Sequence, residues 1–364
     1  MGRARRVPVR RALLFAIASA CALAIPTASV GQAGARERVK AKRVLLIKGD
    51  AVQALAASAG YVAWIRGRFS GRGESSPVFE RDLATGRTRK LVGDSSPQFG
   101  LATTRDWVVY ARTRGSSVAL LAVEHGGGAS TTLTRSLLAP FAARGERIAW
   151  AEQTGSVQRV VVRDVRTGRN WIAARLNRCE HGRCYRIDAV TLADRGVVFT
   201  RGAIGSQPSL IVRRGFGDAR VTTIPVRGDP QPDLAPSSTG ALFYSLRGGW
   251  RRWDFGRRER PLGFKQRGWW ILGSERGRLL LMSSTRRCRP ATALAVAGGR
   301  TVALPAPTST PASPKEFGRL CRVLTDVAWR GSRLLVAWAV LPELTLRTHG
   351  DVGVVGVVTS MKTR

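Results

Sequence analysis

A short segment recurs along the chain and decides the fold; its clearest copies are GYVAW at residues 60–64, DWVVY at 106–110 and RIAW at 147–150. The other four copies end at Phe199, Tyr244, Met282 and Trp338. Each copy follows a short alternating apolar stretch and a turn, and the seven segment ends lie 38 to 56 residues apart. Alternation of this kind indicates β-strands, so the chain is predicted to repeat one unit of strands and turns.

The repeat length predicts the architecture, because units of about 40–50 residues built only from strands and turns are typical of propeller blades. The 40 Gly and 17 Pro exclude a helical bundle, and the 44% hydrophobic content excludes disorder as the overall state. No linker divides the chain. We therefore predict an all-β protein with a single β-propeller of seven four-stranded blades; six or eight blades follow if the terminal strands are divided differently.

Two polar turns add a more specific likeness. FERDLATGR at residues 79–87 and VVRDVRTGR at 161–169 both place Gly four residues after Asp, which suits a tight hairpin. These segments resemble the blades of TolB-type, WD-like propellers of exported bacterial proteins, over roughly residues 50–360. The inner turns depart from the usual Ser-Pro-Asp-Gly, as in ASAG at 57–60. The resemblance implies a platform that binds ligands or proteins rather than one particular chemistry.

The N-terminus has the layout of a secretory signal. Five arginines lie in residues 1–11, residues 12–25 are apolar, and small residues suitable for cleavage end at position 33. We expect a signal peptide over 1–33, with an uncleaved anchor as the alternative, and no transmembrane span in the mature chain. A short basic segment (34–42), the propeller (43–360) and a tail (361–364) follow. Arg43–Lys48 is expected to complete the last blade beside the apolar strand at 352–358.

The charge is strongly positive, +36 for the whole chain, and +31 once the five arginines of the signal are removed. Charge of this size implies affinity for polyanions at low salt. In the periplasm, the cell envelope or the extracellular space these are envelope polymers or anionic lipids, while nucleic acid is expected to bind only non-specifically. Arginines outnumber lysines 53 to 7, a skew that genomic base composition also produces.

The mature chain keeps four cysteines, and an even number in an exported protein favours disulfides. We predict one bridge between Cys179 and Cys184 and a second between Cys288 and Cys321, across a Pro-rich insertion. Cys179 and Cys184 with His181 would be the alternative metal site. It lacks a fourth nearby ligand, and neither a metal nor another cofactor is expected.

Two groups of residues are candidates for ligand binding. Arginines interleaved with aromatics can stack on rings and hold anions, a pattern found at Arg247, Trp250, Arg252, Lys265, Arg267, Trp269 and Trp270. Carboxylates near the starts of inner strands, able to reach the channel, are Asp188, Asp233 and Asp326. Each group also has a structural interpretation: the tryptophans pack between blades, and the carboxylates accept hydrogen bonds from turn amides. Both structural interpretations are preferred to ligand binding.

The rim that carries the connections between blades is the expected binding face, because functional residues gather on loops. No catalytic motif is recognised, and His125, His181 and His349 are interpreted as isolated surface or turn residues. The sequence thus favours a monomeric, exported, non-enzymatic scaffold for a protein partner or an anionic envelope polymer. An enzyme acting on a glycan or small polar substrate in the channel, and a charged structural protein, are the alternatives. Converging acids and histidines favour catalysis, whereas an arginine-lined mouth favours binding.

Overall fold

The structure is a computed structural model. The residues it describes are 41–48, 50–68, 76–180, 183–203, 206–217, 221–226, 234–236, 241–246, 249–254, 260–261, 269–275, 278–283, 292–295, 301–304, 307, 320–342 and 355–362.

These residues form seven antiparallel sheets, numbered here along the chain. Sheets 1 to 3 contain β2 (Ala51–Ala57), β3 (Tyr61–Gly67), β4 (Val78–Asp82), β5 (Thr88–Val92); β6 (Leu101–Thr103), β7 (Trp107–Arg114), β8 (Ser117–Glu124), β9 (Thr131–Thr134); and β10 (Ala142–Arg144), β11 (Arg147–Thr154), β12 (Val157–Asp164), β13 (Asn170–Asn177). Sheets 4 and 5 contain β14 (Cys179–Glu180), β15 (Arg183–Ala193), β16 (Gly196–Ala203), β17 (Ser206–Gly215), β18 (Val221–Val226); and β19 (Leu234–Pro236), β20 (Ala241–Leu246), β21 (Gly249–Asp254), β22 (Arg260–Pro261). Sheets 6 and 7 contain β23 (Trp269–Glu275), β24 (Arg278–Ser283), β25 (Thr292–Ala295), β26 (Thr301–Ala303); and β27 (Leu320–Arg330), β28 (Arg333–Pro342), β29 (Val355–Lys362), β1 (Ala41–Lys48). One 3-10 turn, Pro97–Phe99, lies between sheets 1 and 2.

The sheets are arranged as a β-propeller. One strand of each sheet, called its inner strand, contacts the inner strands of the two neighbouring sheets, in the order β2, β6, β10, β15, β19, β23, β27 and back to β2. This closed order surrounds a central channel. The predicted apolar stretches before each turn all fall on these inner strands, so the prediction of an all-β propeller is confirmed.

The first and last described strands meet in sheet 7. Strand β1 pairs with β29 and completes sheet 7 as its outermost strand, in the order β27, β28, β29, β1. It begins at Ala41, two residues before the predicted start. Strand β29 ends at Lys362, four residues past the predicted end of the strand at 358 and two past the predicted end of the propeller. The first and last strands of the propeller are thereby held in one sheet.

The predicted outer turns are hairpins with glycine in the left-handed region, at φ +74° for Gly86 and +69° for Gly168. In the first, the Asp82 carboxylate accepts backbone N–H bonds from Ala84 (2.8 Å) and Thr85 (3.2 Å), which lower its pKa. The Leu83 amide also donates to Gly60 O in the inner turn, at 2.9 Å. Inner and outer hairpins therefore share one side of the ring, called the hairpin rim; the connections between sheets occupy the opposite side, the connection rim.

The apolar core lies between neighbouring sheets. Ile65 and Val78 of sheet 1 pack with Val108 and Leu121 of sheet 2, and the other core clusters likewise join adjacent sheets. Full burial of one such side chain is worth about 1.5–3 kcal/mol, so these interfaces are the main apolar contribution to holding the ring together. The strand that carries Trp64 runs past this aromatic: β3 continues through buried Ile65 to the partly buried Arg66 and Gly67. No helix in the described part of the chain is long and apolar enough to span a membrane.

Candidate functional site

The channel opens at the hairpin rim into a cavity of about 710 Å³, called the hairpin-rim cavity. Its walls come from the ends of the inner strands β2, β6, β10, β15 and β27. The walls nearest the channel are small and apolar, such as Ala56, Ala102 and Ala142. Charged and aromatic side chains therefore define the mouth.

Arginines and aromatics shape this mouth. The Arg147 guanidinium lies 4.2 Å from the ring centroid of Phe216, within the range of a cation–π contact. Arg144 Nε donates to Asp194 Oδ1 at 2.6 Å. The other lining carboxylate, Glu146, lies 3.7 Å from exposed Arg166 Nε. Each carboxylate of the described lining thus faces an arginine, and no histidine is among those lining residues.

A second cavity, of about 510 Å³, opens at the connection rim and contains one carboxylate among its described residues, Asp326. Asp326 Oδ2 accepts the Leu55 N–H of the neighbouring inner strand at 2.6 Å, and Oδ1 accepts the Val327 N–H at 2.8 Å. The register of β27 shifts between Leu324 and Asp326, and such irregularities re-aim side chains. Burial raises the pKa of Asp326 to about 7, although both hydrogen bonds favour its charged form.

Asp326 therefore combines the two roles considered for it in the sequence: it reaches the cavity, and it accepts backbone amides. Asp188 lies beside a similar register shift in β15, but its carboxylate is paired with Arg186 and is not among the described residues of either cavity. Asp233 lies outside the described residues. The structure thus places one of the three candidate carboxylates in a cavity.

The arginine–aromatic candidates are only partly described. Arg247, Lys265 and Arg267 lie outside the described residues. Trp250 and Arg252 fall on β21, and Trp269 and Trp270 begin β23. On β21, Trp253 is buried at 4% exposure while the adjacent Arg252 is partly exposed, as alternation along a strand requires.

The predicted loop staple is present: a disulfide joins Cys179 to Cys184, which are directly opposite each other in the β14–β15 ladder. Cys321 is also disulfide-bonded, and its predicted partner Cys288 lies outside the described residues. The described residues contain no group of three or more His, Cys, Asp or Glu side chains that could hold a metal ion. The bridge holds the two-residue strand β14 on sheet 4, at the connection rim.

Sequence reasoning missed a buried polar cluster between sheets 1 and 2. Glu80 is fully buried; its Oε2 accepts from His125 Nδ1, and its Oε1 accepts from Arg89 Nε at 3.2 Å and from the Gly126 amide at 3.1 Å. Tyr61 stacks on the His125 ring at 4.3 Å. His125 lies in a turn, as the sequence interpretation allowed. It is not an isolated surface residue, because its side chain is only 5% exposed and contacts Glu80.

The same cluster contains a serine, histidine and glutamate in contact, the residue types of a hydrolytic triad. Ser58 Oγ is 3.5 Å from His125 Nε2, at the limit of a hydrogen bond, and Thr104 O is nearer at 3.3 Å. Tyr61 covers one face of the His125 ring, and the imidazole side chain is 5% exposed. The arrangement joins sheets 1 and 2 through hydrogen bonds of His125.

Comparison with known proteins supports the fold. No protein-family model matches the chain, and no curated protein matches it in sequence. Among solved structures it is similar to oligogalacturonate lyase from Vibrio parahaemolyticus, with a TM-score of 0.53 and 9% identity over 90% of this chain and 94% of the lyase. It is also similar to acylaminoacyl peptidase from Pyrococcus horikoshii, with a TM-score of 0.51 and 7% identity over 79% of this chain.

The chain spans about half the length of that peptidase, 49%. TolB from Acinetobacter baumannii is a further similar structure, with a TM-score of 0.38 and 12% identity over 84% of this chain and 64% of TolB. At these identities the likeness concerns the fold and not the chemistry.

Proposed function

We propose that the protein is an exported, non-enzymatic, seven-bladed propeller, each sheet being one blade, that holds a protein partner or an anionic envelope polymer at its rims. The observation that carries this proposal is the hairpin-rim cavity, whose mouth presents Arg144 and the Arg147–Phe216 stack. Guanidinium groups beside an aromatic ring suit anionic groups on a partly apolar ligand. The carboxylates of the described lining face arginines, which supports binding over acid–base catalysis.

The test is a binding screen of the full chain against anionic polymers and envelope fractions, at low and near-physiological salt. The double variant Arg144→Gln, Arg147→Gln is compared with Arg105→Gln, Arg114→Gln, which removes the same charge from exposed positions outside the cavity lining. We expect one species to be retained at physiological salt and the cavity variant to bind it at least tenfold more weakly than the control. Loss of all binding at that salt, or equal weakening in both variants, would contradict a specific site.

The second candidate is an enzyme that acts on a glycan or small polar substrate in the channel. Asp326 favours it, since a carboxyl group with a pKa of about 7 in a cavity is suited to general acid or base work near neutral pH. Turnover of an oligosaccharide that Asp326→Asn abolishes while the thermal midpoint is kept would support this candidate. Turnover that is unchanged by that substitution would show that Asp326 takes no part in the reaction.

A further inference from the structure

A small basic cleft lies on the hairpin rim where sheet 7 meets sheet 1, outside the central channel. We call it the closure cleft; its volume is about 280 Å³. The cationic residues that line it are Lys42, Arg43, Arg81, Arg330 and Arg333. They come from β1, from the outer hairpin of sheet 1 and from the β27–β28 hairpin, so the cleft exists only when the ring is closed.

The cleft is unusual in its charge. Its described lining includes five cationic side chains and no carboxylate, whereas the described lining of the hairpin-rim cavity includes Glu146 and Asp194, the latter paired with Arg144. Within the described part of the chain, no ion pair joins any of the five to an acid; Arg330 Nε donates to the Ala59 carbonyl at 2.8 Å. Like charges that line one cleft repel one another, and an anion placed among them would reduce the repulsion.

The two acids that flank Arg81 in the sequence are already engaged. Glu80 is bonded to Arg89, His125 and the Gly126 amide. Asp82 follows Arg81 directly, but its Oδ1 accepts the amides of Ala84 and Thr85 in the hairpin turn. Its neighbour Arg81 instead turns toward Gly86: Nη2 is 3.6 Å from the point where a Cβ on that glycine would lie. The turn thus holds its carboxylate by its own amides and leaves the guanidinium on the cleft side.

The inner wall adds a hydroxyl to the positive charge. Ser360 lines the cleft and is 7% exposed. In the sheet 7 ladder it stands directly opposite Lys42 on one side and Leu335 on the other, so the three side chains share one face. The wall therefore presents an ammonium group, a hydroxyl and an apolar side chain in a row.

From this placement we propose that the closure cleft is a binding site for a phosphate group. Arginine matches phosphate oxygens with its planar fork, and lysine and serine supply single donors. The volume suits one such group rather than a polymer segment. The site is distinct from the hairpin-rim cavity, and the inference does not rest on the proposed function. Because the residues that would bind phosphate come from β1, from sheet 1 and from the β27–β28 hairpin, bound phosphate would hold β1 to the rest of the ring.

The test measures binding of inorganic phosphate to the full chain by isothermal titration, with ionic strength held at 0.15 M by sodium chloride. Vesicles of phosphatidylglycerol are compared with vesicles of phosphatidylcholine in a parallel arm. The cleft variant is Arg81→Gln, Arg333→Gln, and the control is Arg105→Gln, Arg114→Gln, which loses the same charge outside the cleft lining. The thermal midpoint without ligand shows that each variant is folded, and Arg81→Lys separates charge from the guanidinium fork.

We expect saturable binding of one phosphate per chain, a rise in the thermal midpoint with phosphate concentration, and at least tenfold weaker binding in the cleft variant with less than twofold change in the control. If only phosphatidylglycerol vesicles bind, with the same dependence on the cleft residues, the phosphate is that of a lipid headgroup. Equal weakening in cleft variant and control, or the absence of saturable binding in both arms, would overturn the proposal. Failure here leaves the binding screen of the hairpin-rim cavity unaffected.

Discussion

Replacing His125 by alanine is expected to weaken the junction between sheets 1 and 2. Glu80 is fully buried, and His125 Nδ1 is the donor to its Oε2. The variant leaves that oxygen without its donor, while Arg89 Nε and the Gly126 amide still reach Oε1. The carboxylate stays buried and only partly compensated, which is far less favourable than either a complete cluster or an apolar one.

The size of the effect follows from this geometry. Leaving a buried acceptor without its donor costs about 1–3 kcal/mol, and more for a charged acceptor, so the loss for His125→Ala is placed near the upper figure. The entropy of unfolding is about 2.1 cal/mol/K per residue, so a propeller of roughly 320 residues has a total unfolding entropy of about 0.7 kcal/mol/K at its thermal midpoint. A loss of about 3 kcal/mol therefore lowers the thermal midpoint by roughly 4–5 °C.

The assay is thermal unfolding followed by circular dichroism, in a double-mutant cycle of His125→Ala and Glu80→Gln. Gln at position 80 removes the buried charge, so the double variant should be more stable than the sum of the single effects predicts, by at least about 1 kcal/mol. Arg105→Gln, at a side chain 79% exposed, is the matched control and should change stability by less than about 0.5 kcal/mol. A His125→Ala variant no less stable than the control, or strictly additive effects, would refute the argument.

Two further predictions concern the connection rim. Burial raises the pKa of Asp326 to about 7 from an ordinary value of 3.8. Between these two values the carboxyl group is ionised in the unfolded chain and protonated in the folded protein, so the free energy of unfolding falls as pH rises from about 4 to 7. Asp326→Asn, which cannot ionise, should therefore gain stability relative to the parent chain between pH 5 and pH 8, measured as the difference in thermal midpoint; a difference independent of pH would show that the group does not titrate in that range. Cys179→Ser opens the short loop closed with Cys184, and loop-closure entropy predicts a loss of about 2 kcal/mol, or roughly 3 °C in the thermal midpoint. An unchanged midpoint would mean that β14 opens independently of the ring.

Local patterns predicted the framework because each is contained in a few consecutive residues. Apolar alternation located the inner strands, and the glycine four residues after Asp82 located a turn whose φ of +74° requires it. The Glu80–His125 pair was missed because its members are 45 residues apart in sequence and meet only across two sheets. Asp326 was predicted as a candidate, but its placement depends on a register shift in β27 that the sequence does not indicate.

The arginine content has two explanations, base composition and ligand binding, and the positions of the carboxylates help to separate them. Composition alone distributes cations without regard to clefts. Elsewhere some arginines are paired with acids, as Arg66 is with Asp50 and Arg201 with Glu180. At the closure cleft the nearby Asp82 is instead bonded to its own turn, and the described lining offers no other acid. Repulsion among the cationic side chains of the closure cleft lowers the stability of the fold unless an anion binds between them. A binding site accounts for that arrangement, whereas composition accounts only for the number of arginines.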